Sequence, residues 1–142
     1  MFSPSNELVN DLLVELHRSL VQYAAEAWPW ARSGDQKLAG TVQWLAKRQR
    51  DDASLIVELL NSRRHPVDLG MYPLEYGNLH YVDLEFLYAA LVDNQTGIVN
   101  HLEAAAADVE IDPDAAAVLQ QVAVSQRAGL EELHSAEVNS PR

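Results

Sequence analysis

The chain has 142 residues, 48% of them apolar, with no cysteine and a formal net charge of −11. That length suits a single domain, residues 1–142, able to bury a core without disulfides or structural metals. The charge argues against nucleic acid or an anionic membrane as a partner, since both carry the same sign, and the missing cysteines exclude disulfides, thiolate catalysis and cysteine-based zinc sites.

The first residues, Met-Phe-Ser-Pro-Ser-Asn-Glu, have neither the basic start nor the apolar run of a signal peptide. No later window is long enough for a membrane span, so a soluble, cytoplasmic protein is expected. Ser3-Pro4 is a cap followed by a proline at the first helical position. Val9, Leu12, Leu13, Leu16, Leu20, Tyr23 and Ala27 then recur at three-to-four spacing, which predicts a helix over about 4–28. Trp28-Pro29-Trp30 ends it.

Ser33-Gly34-Asp35 reads as a turn and cap for a second helix over about 35–62. Its stripe is Leu38, Val42, Leu45, Gln49, Asp52, Ile56, Leu59 and Leu60. Lys47, Arg48 and Arg50 lie off the stripe, where Lys47–Asp51 and Arg48–Asp52 pairs at i,i+4 are expected. From 63 to 78 the pattern breaks at Pro66, Gly70, Pro73 and Gly77. Val67, Leu69, Met71, Tyr72, Leu74 and Tyr76 are apolar, so this segment reads as an ordered strap across the bundle rather than a flexible linker.

A third helix is predicted over about 79–108, with Asn78 as cap and Leu84, Leu87, Tyr88, Leu91, Gln95, Ile98 and Leu102 as its stripe. Asp112-Pro113 opens a fourth, over about 113–136, with Leu119, Val122, Ala123, Gln126, Leu130 and Leu133 inward. The tail from Asn139 is expected to fray. The fold class is therefore all-α, a four-helix bundle.

Two helical hairpins joined by one long connection is the ferritin-like topology. Together with Leu55-Ile-Val-Glu-Leu-Leu, Gly70-Met-Tyr-Pro-Leu-Glu-Tyr and Leu79-His-Tyr-Val-Asp-Leu-Glu-Phe-Leu, this arrangement resembles bacterial proteins of the ferritin-like superfamily over nearly the whole chain. The resemblance implies a bundle with a long crossover between its second and third helices. It also implies a di-iron site built from a Glu on each of two helices and a Glu-x-x-His on each of the other two. The chain departs from that pattern. The second helix offers Gln49-Arg50-Asp51-Asp52, the third Gln95, and the fourth Gln126-Arg127-Ala128-Gly129. In the first helix Ser19 or Tyr23 lies nearest the centre.

Gln49, Asp52, Gln95 and Gln126 thus form a candidate polar core layer, with Tyr23 a possible member. Buried amides without partners are costly, so these residues either bond to one another and fix helix register, or hold a small ligand or weak metal, or face solvent. His17, His65, His80, His101 and His134 form no Glu-x-x-His or His-x-x-x-His pair and read as surface or structural.

The first functional expectation is a non-enzymatic binding or interaction module without cofactor. It would act as a homodimer, with Trp28, Trp30, Trp44 and the aromatic strap as a contact patch unless they pack the bundle ends. The second is a metal-dependent, di-iron-type oxidoreductase with non-standard ligands, for which Glu15, Asp52 and Asp93 are the candidate carboxylates. The third is a small-ligand binder using the glutamine layer.

Overall fold

The computed structural model describes residues 4–30, 36–108 and 110–136, with Pro4 and Tyr81 by their backbone alone. Among these residues the chain forms α1 (Pro4–His17), α2 (Leu20–Ala27), α3 (Gln36–Ser62), a 3-10 segment (Leu74–Tyr81), α4 (Leu84–Ala107) and α5 (Pro113–Ser135), with no strand. No described helix is long and apolar enough to cross a membrane. The expected Ser3 cap, the Ser33-Gly34-Asp35 turn and the tail from Asn139 lie outside the described residues.

The helix expected over 4–28 is two helices. The chain breaks at Arg18–Ser19 without proline or glycine, because polar groups hold the break open. Ser19 is extended (φ −67°, ψ 162°) and caps α2, its Oγ accepting from the Gln22 amide. The Leu20 amide, freed by the break, donates to Asn94 Oδ1 on α4 at 3.0 Å. Both are contacts that an orphaned helix N-terminus requires. The break also resets the helical phase. In α2 the buried residues are Leu20, Val21, Gln22 and Ala24, so Gln22 points into the bundle and Tyr23 turns aside.

The third predicted helix also starts later than expected. Asp83, not Asn78, caps α4, with Oδ1 accepting from the Phe86 amide at 2.8 Å. Residues 74–81 take the tighter 3-10 winding instead. Asp112 and Pro113 open α5 as the cap-plus-proline pattern predicts.

Packing links α4 to α5, α5 to α3, α3 to both α1 and α2, and α1 and α2 to α4. Two apolar clusters result. One holds Leu13 and Leu16 of α1, Ile56 and Leu60 of α3, Ile98 and Leu102 of α4, and Leu119 and Val122 of α5. The other holds Leu20 and Val21 of α2, Leu38 and Leu45 of α3, Leu87 and Leu91 of α4, and Leu133 of α5. The gap between them falls between residues 46 and 53 on α3 and between 91 and 98 on α4, where the polar layer was predicted.

The connection from α3 to α4 is fastened to α1. Asn10 exchanges two hydrogen bonds with the Asp68 backbone, both 3.0 Å. Arg18 Nε donates to the carbonyls of Leu69 and Gly70. Gly70 has φ +67°, and a Cβ there would stand 2.5 Å from Val14 Cγ1, so this position needs glycine twice over. Val67, Tyr72 and Tyr76 are half-buried, but Met71 and Leu74 are 83% and 93% exposed. Only part of the strap's apolar side is therefore covered.

Just past the C-terminus of α3, the Arg63 guanidinium grips both oxygens of Asp112 and also donates to Asn6 Oδ1 at 2.8 Å. Asp112 meanwhile accepts from the Ala115 amide, so one fork joins α1, the start of the strap and the cap of α5.

Two predictions follow from these fastenings. Gly70→Ala, but not Gly77→Ala, where nothing lies within 4 Å of a new Cβ, should lower stability in urea by about 1–2 kcal/mol, the cost of a left-handed non-glycine residue; equal midpoints for the two variants would contradict the strap contact. The second concerns acid. The Arg63 hydrogen bond, ahead of the backbone amide, holds the Asp112 carboxyl below its ordinary 3.8. Its stabilisation is therefore complete above that value and is lost as pH falls through the lowered folded-state value. Asp112→Asn keeps a good cap but cannot titrate, so its stability should fall less steeply than wild type in melts taken from pH 6 downwards.

Candidate functional site: an amide chain across the bundle

Gln49, Gln95 and Gln126 are almost completely buried and Asp52 is 8% exposed. The structure brings all four together. Gln49 Nε2 donates to Gln95 Oε1 at 2.9 Å. Gln95 Nε2 donates to Gln126 Oε1 at 2.9 Å and to the Gln126 carbonyl at 3.0 Å. Gln126 Nε2 donates to Asp52 Oδ2 at 2.7 Å.

The chain extends one helix further than the sequence pattern suggested. Gln22 of α2 donates from Nε2 to Gln49 Oε1 at 3.0 Å and to the Ala46 carbonyl at 2.7 Å. Arg50 Nη1 donates to Gln22 Oε1 at 3.3 Å. Ser19 Oγ adds a second bond to Gln49 Oε1 at 2.8 Å. Every amide from Gln22 to Gln126 accepts from one neighbour and donates to the next. The ends impose that direction: a guanidinium only donates and a carboxylate only accepts.

Gln22 was missed because a continuous helix over 4–28 places it beside the stripe, not in it. Only the break at Ser19 turns it inward. The one available signal was the pair Ser19 and Gln22 itself, at the spacing of a cap and its third residue. Tyr23, expected near this layer, is not part of it. Its hydroxyl meets His80 Nε2 at 2.7 Å, and its ring packs against Tyr72 and Tyr76 of the strap with centroids 5.3 and 5.6 Å away. Arg18 lies over Tyr72, and Asn94, which accepts from Leu20, donates to the Tyr76 hydroxyl. Burial pushes the Tyr72 and Tyr76 phenols above their ordinary value, so they stay protonated while they clasp the strap to α2.

Other expected contacts also fall elsewhere. Arg48 does not pair with Asp52; it donates to Ser125 Oγ at 2.8 Å and lies over the Trp44 ring. Lys47 does meet Asp51, on an exposed face. Glu15 and Asp93 stand apart from Asp52. Glu15 meets His101 Nδ1 at 2.6 Å on the outside of the bundle, a histidine contact the sequence did not suggest, and Asp93 is exposed. Trp28 and Trp30 pack on the second apolar cluster, with Trp30 Nε1 donating to the Ala24 carbonyl, so of the three tryptophans only Trp44 is exposed.

The donor set at the centre does not fit the di-iron site that the ferritin-like resemblance implies. Asp52 is its one carboxylate, it has no imidazole, and its amide groups are committed to each other. Hard iron ions need several carboxylates, and no cluster of three acidic, histidine or cysteine side chains among the described residues is placed to hold a metal. No family model, curated protein or solved structure matches the chain.

The amide chain itself can be tested by mutation. Gln95→Leu strands Gln49 Nε2 and Gln126 Oε1 and should cost on the order of 1–3 kcal/mol. Replacing Gln49, Asp52, Gln95 and Gln126 together with leucine removes donors and acceptors alike, and should cost less than the sum of the single changes. A melting temperature untouched by Gln95→Leu would rule the network out.

Proposed function

We propose that this chain is a ferritin-like four-helix bundle whose centre serves structure, and that it acts as a binding or interaction module rather than an enzyme. In this reading α1 and α2 together take the place of the first helix, α3, α4 and α5 the other three, and residues 63–83 are the long crossover. The order of the apolar clusters supports it. α3 runs from the second cluster to the first, and α4 again starts in the second, which leaves the intervening strap to return along the bundle.

The observation that carries the functional half is the amide chain. A redox metal centre needs open coordination positions and several anionic ligands. Here the mid-bundle positions are neutral amides already bonded in sequence from Arg50 to Asp52. Such a network holds register and leaves the surfaces to carry contacts. A homodimer in the cytoplasm is the assembly and location that go with this reading, with the exposed Met71, Leu74 and Phe86 as apolar contact residues in place of Trp28 and Trp30.

Protein purified from iron- and manganese-supplemented culture should contain far less than one metal ion per chain by elemental analysis. Two ions per chain would instead establish the alternative, a di-iron-type oxidoreductase with an unusual ligand set.

A further inference from the structure

A groove of about 400 Å³ opens on the outside of the bundle between α1 and α3, with Leu69 of the strap along its edge. Its α3 wall is Arg50, Ala53, Ser54, Val57 and Glu58, spaced i, i+3, i+4, i+7 and i+8 and therefore on one helix face. Small side chains at 53 and 54 make the depression, and Leu13 of α1 completes an apolar floor. Arg50 marks one end and Glu58 the other, eight residues or about 12 Å apart along the axis.

Arg50 brings the positive charge to this groove. The chain carries a net −11; Arg63 and Arg127 are each taken by a carboxylate, while Arg18 bonds to the Leu69 and Gly70 carbonyls and Arg48 to Ser125. Arg50 is exposed, and no described carboxylate forms an ion pair with it. Its guanidinium makes the 3.3 Å contact to Gln22 Oε1, which leaves most of its five N–H donors for a ligand. His17 lines the same groove. Burial, ahead of the Arg18 charge, holds its imidazole below the ordinary 6.5, so at neutral pH it offers a hydrogen bond and no charge.

We propose that this groove binds a small amphipathic monocarboxylate, its carboxylate forked on Arg50 and its apolar body lying over Leu13, Ala53 and Val57 toward Leu69. A planar guanidinium matches a carboxylate with two parallel hydrogen bonds, and an apolar pocket with few convergent polar groups is the usual form of a small-molecule site. Glu58 at the far end sets the selectivity. A second carboxylate there meets like charge, so a dicarboxylate of the same length is rejected while a methyl terminus is accepted. The site lies outside the bundle centre. It gives the proposed binding role a ligand class, and metal content, which tests the reading of the centre, has no bearing on it.

The test is calorimetric titration of the full chain with octanoate, octanedioate and octanol at neutral pH. Octanoate should bind, and the other two should bind more weakly by about tenfold or more, the scale of one charge-assisted contact. Arg50→Gln should weaken octanoate by a similar factor. Glu58→Gln should restore binding of octanedioate. Ser54→Trp, at an exposed position, fills the groove while keeping Arg50, and should abolish binding with the helical circular dichroism unchanged. No heat with octanoate, equal affinity for octanoate and octanol, or wild-type affinity in the folded Ser54→Trp variant would each overturn the proposal.

Discussion

A donor that cannot accept sits at one end of the buried amide chain, and an acceptor that cannot donate sits at the other. Arg50 and Asp52 are two residues apart on α3, yet the route between them crosses α2, α3, α4 and α5 before it returns to α3. Each glutamine in between has one orientation that satisfies both neighbours. Sliding any of these helices by one residue rotates its glutamine by about 100° and breaks two bonds at once. The apolar clusters on either side supply burial but tolerate many packings of similar volume. The polar chain distinguishes among them, because an amide left without a partner in an apolar core is penalised far more than a slightly mispacked leucine.

The break between α1 and α2 follows from that constraint. An unbroken helix would aim residue 23 toward the bundle and leave Gln22 at its side. Opening one turn at Ser19 brings Gln22 into the chain and frees Ser19 Oγ to bond to Gln49. The break exposes amides that need acceptors, and Asn94 and the Ser19 hydroxyl supply them. It also leaves Arg18 free to reach the strap carbonyls and turns Tyr23 toward the strap's own tyrosines. Core register, helix break and strap attachment are therefore one coupled arrangement. Asn94 joins them, since it serves the α2 amide with its oxygen and the strap's Tyr76 with its nitrogen.

How much of this was legible in sequence depends on the range of the interaction that decides each feature. The helical stripes, the Asp112-Pro113 start and the inward placement of Gln49, Asp52, Gln95 and Gln126 are periodic or local signals, and they could be read directly. The break at Ser19 could not, because nothing within a few residues forces it; the deciding partners are Asn94 and Gln49, far along the chain. The same reason explains Gln22 and Tyr23 exchanging places. Arg48 had a good local partner in Asp52 at i+4, but Gln126 competes for that carboxylate from another helix and Ser125 and Trp44 occupy the guanidinium. The strap's apolar residues predicted an ordered segment. They could not predict which of them face water, since that depends on contacts with Asn10, Arg18, Tyr23 and Asn94, far along the chain.

The residue types in the chain also bear on why a bundle of this shape would hold amides at its centre. A carboxylate at each of these positions would place like charges a few ångströms apart in a low-dielectric interior, and only cations of high charge could hold them there. Leucines would remove that demand but also the register signal. Glutamine keeps the length and the hydrogen bonding of glutamate without its charge, so the helices can be locked together with no ion present. The cost is that the network needs a defined beginning and end, because a row of neutral amides alone could point either way. Asp52 provides the end, partly shielded at 8% exposure. Arg50 provides the beginning from the surface, where it lines the groove beside α1. The orientation of the buried layer is thus set by a side chain that solvent and ligands can reach.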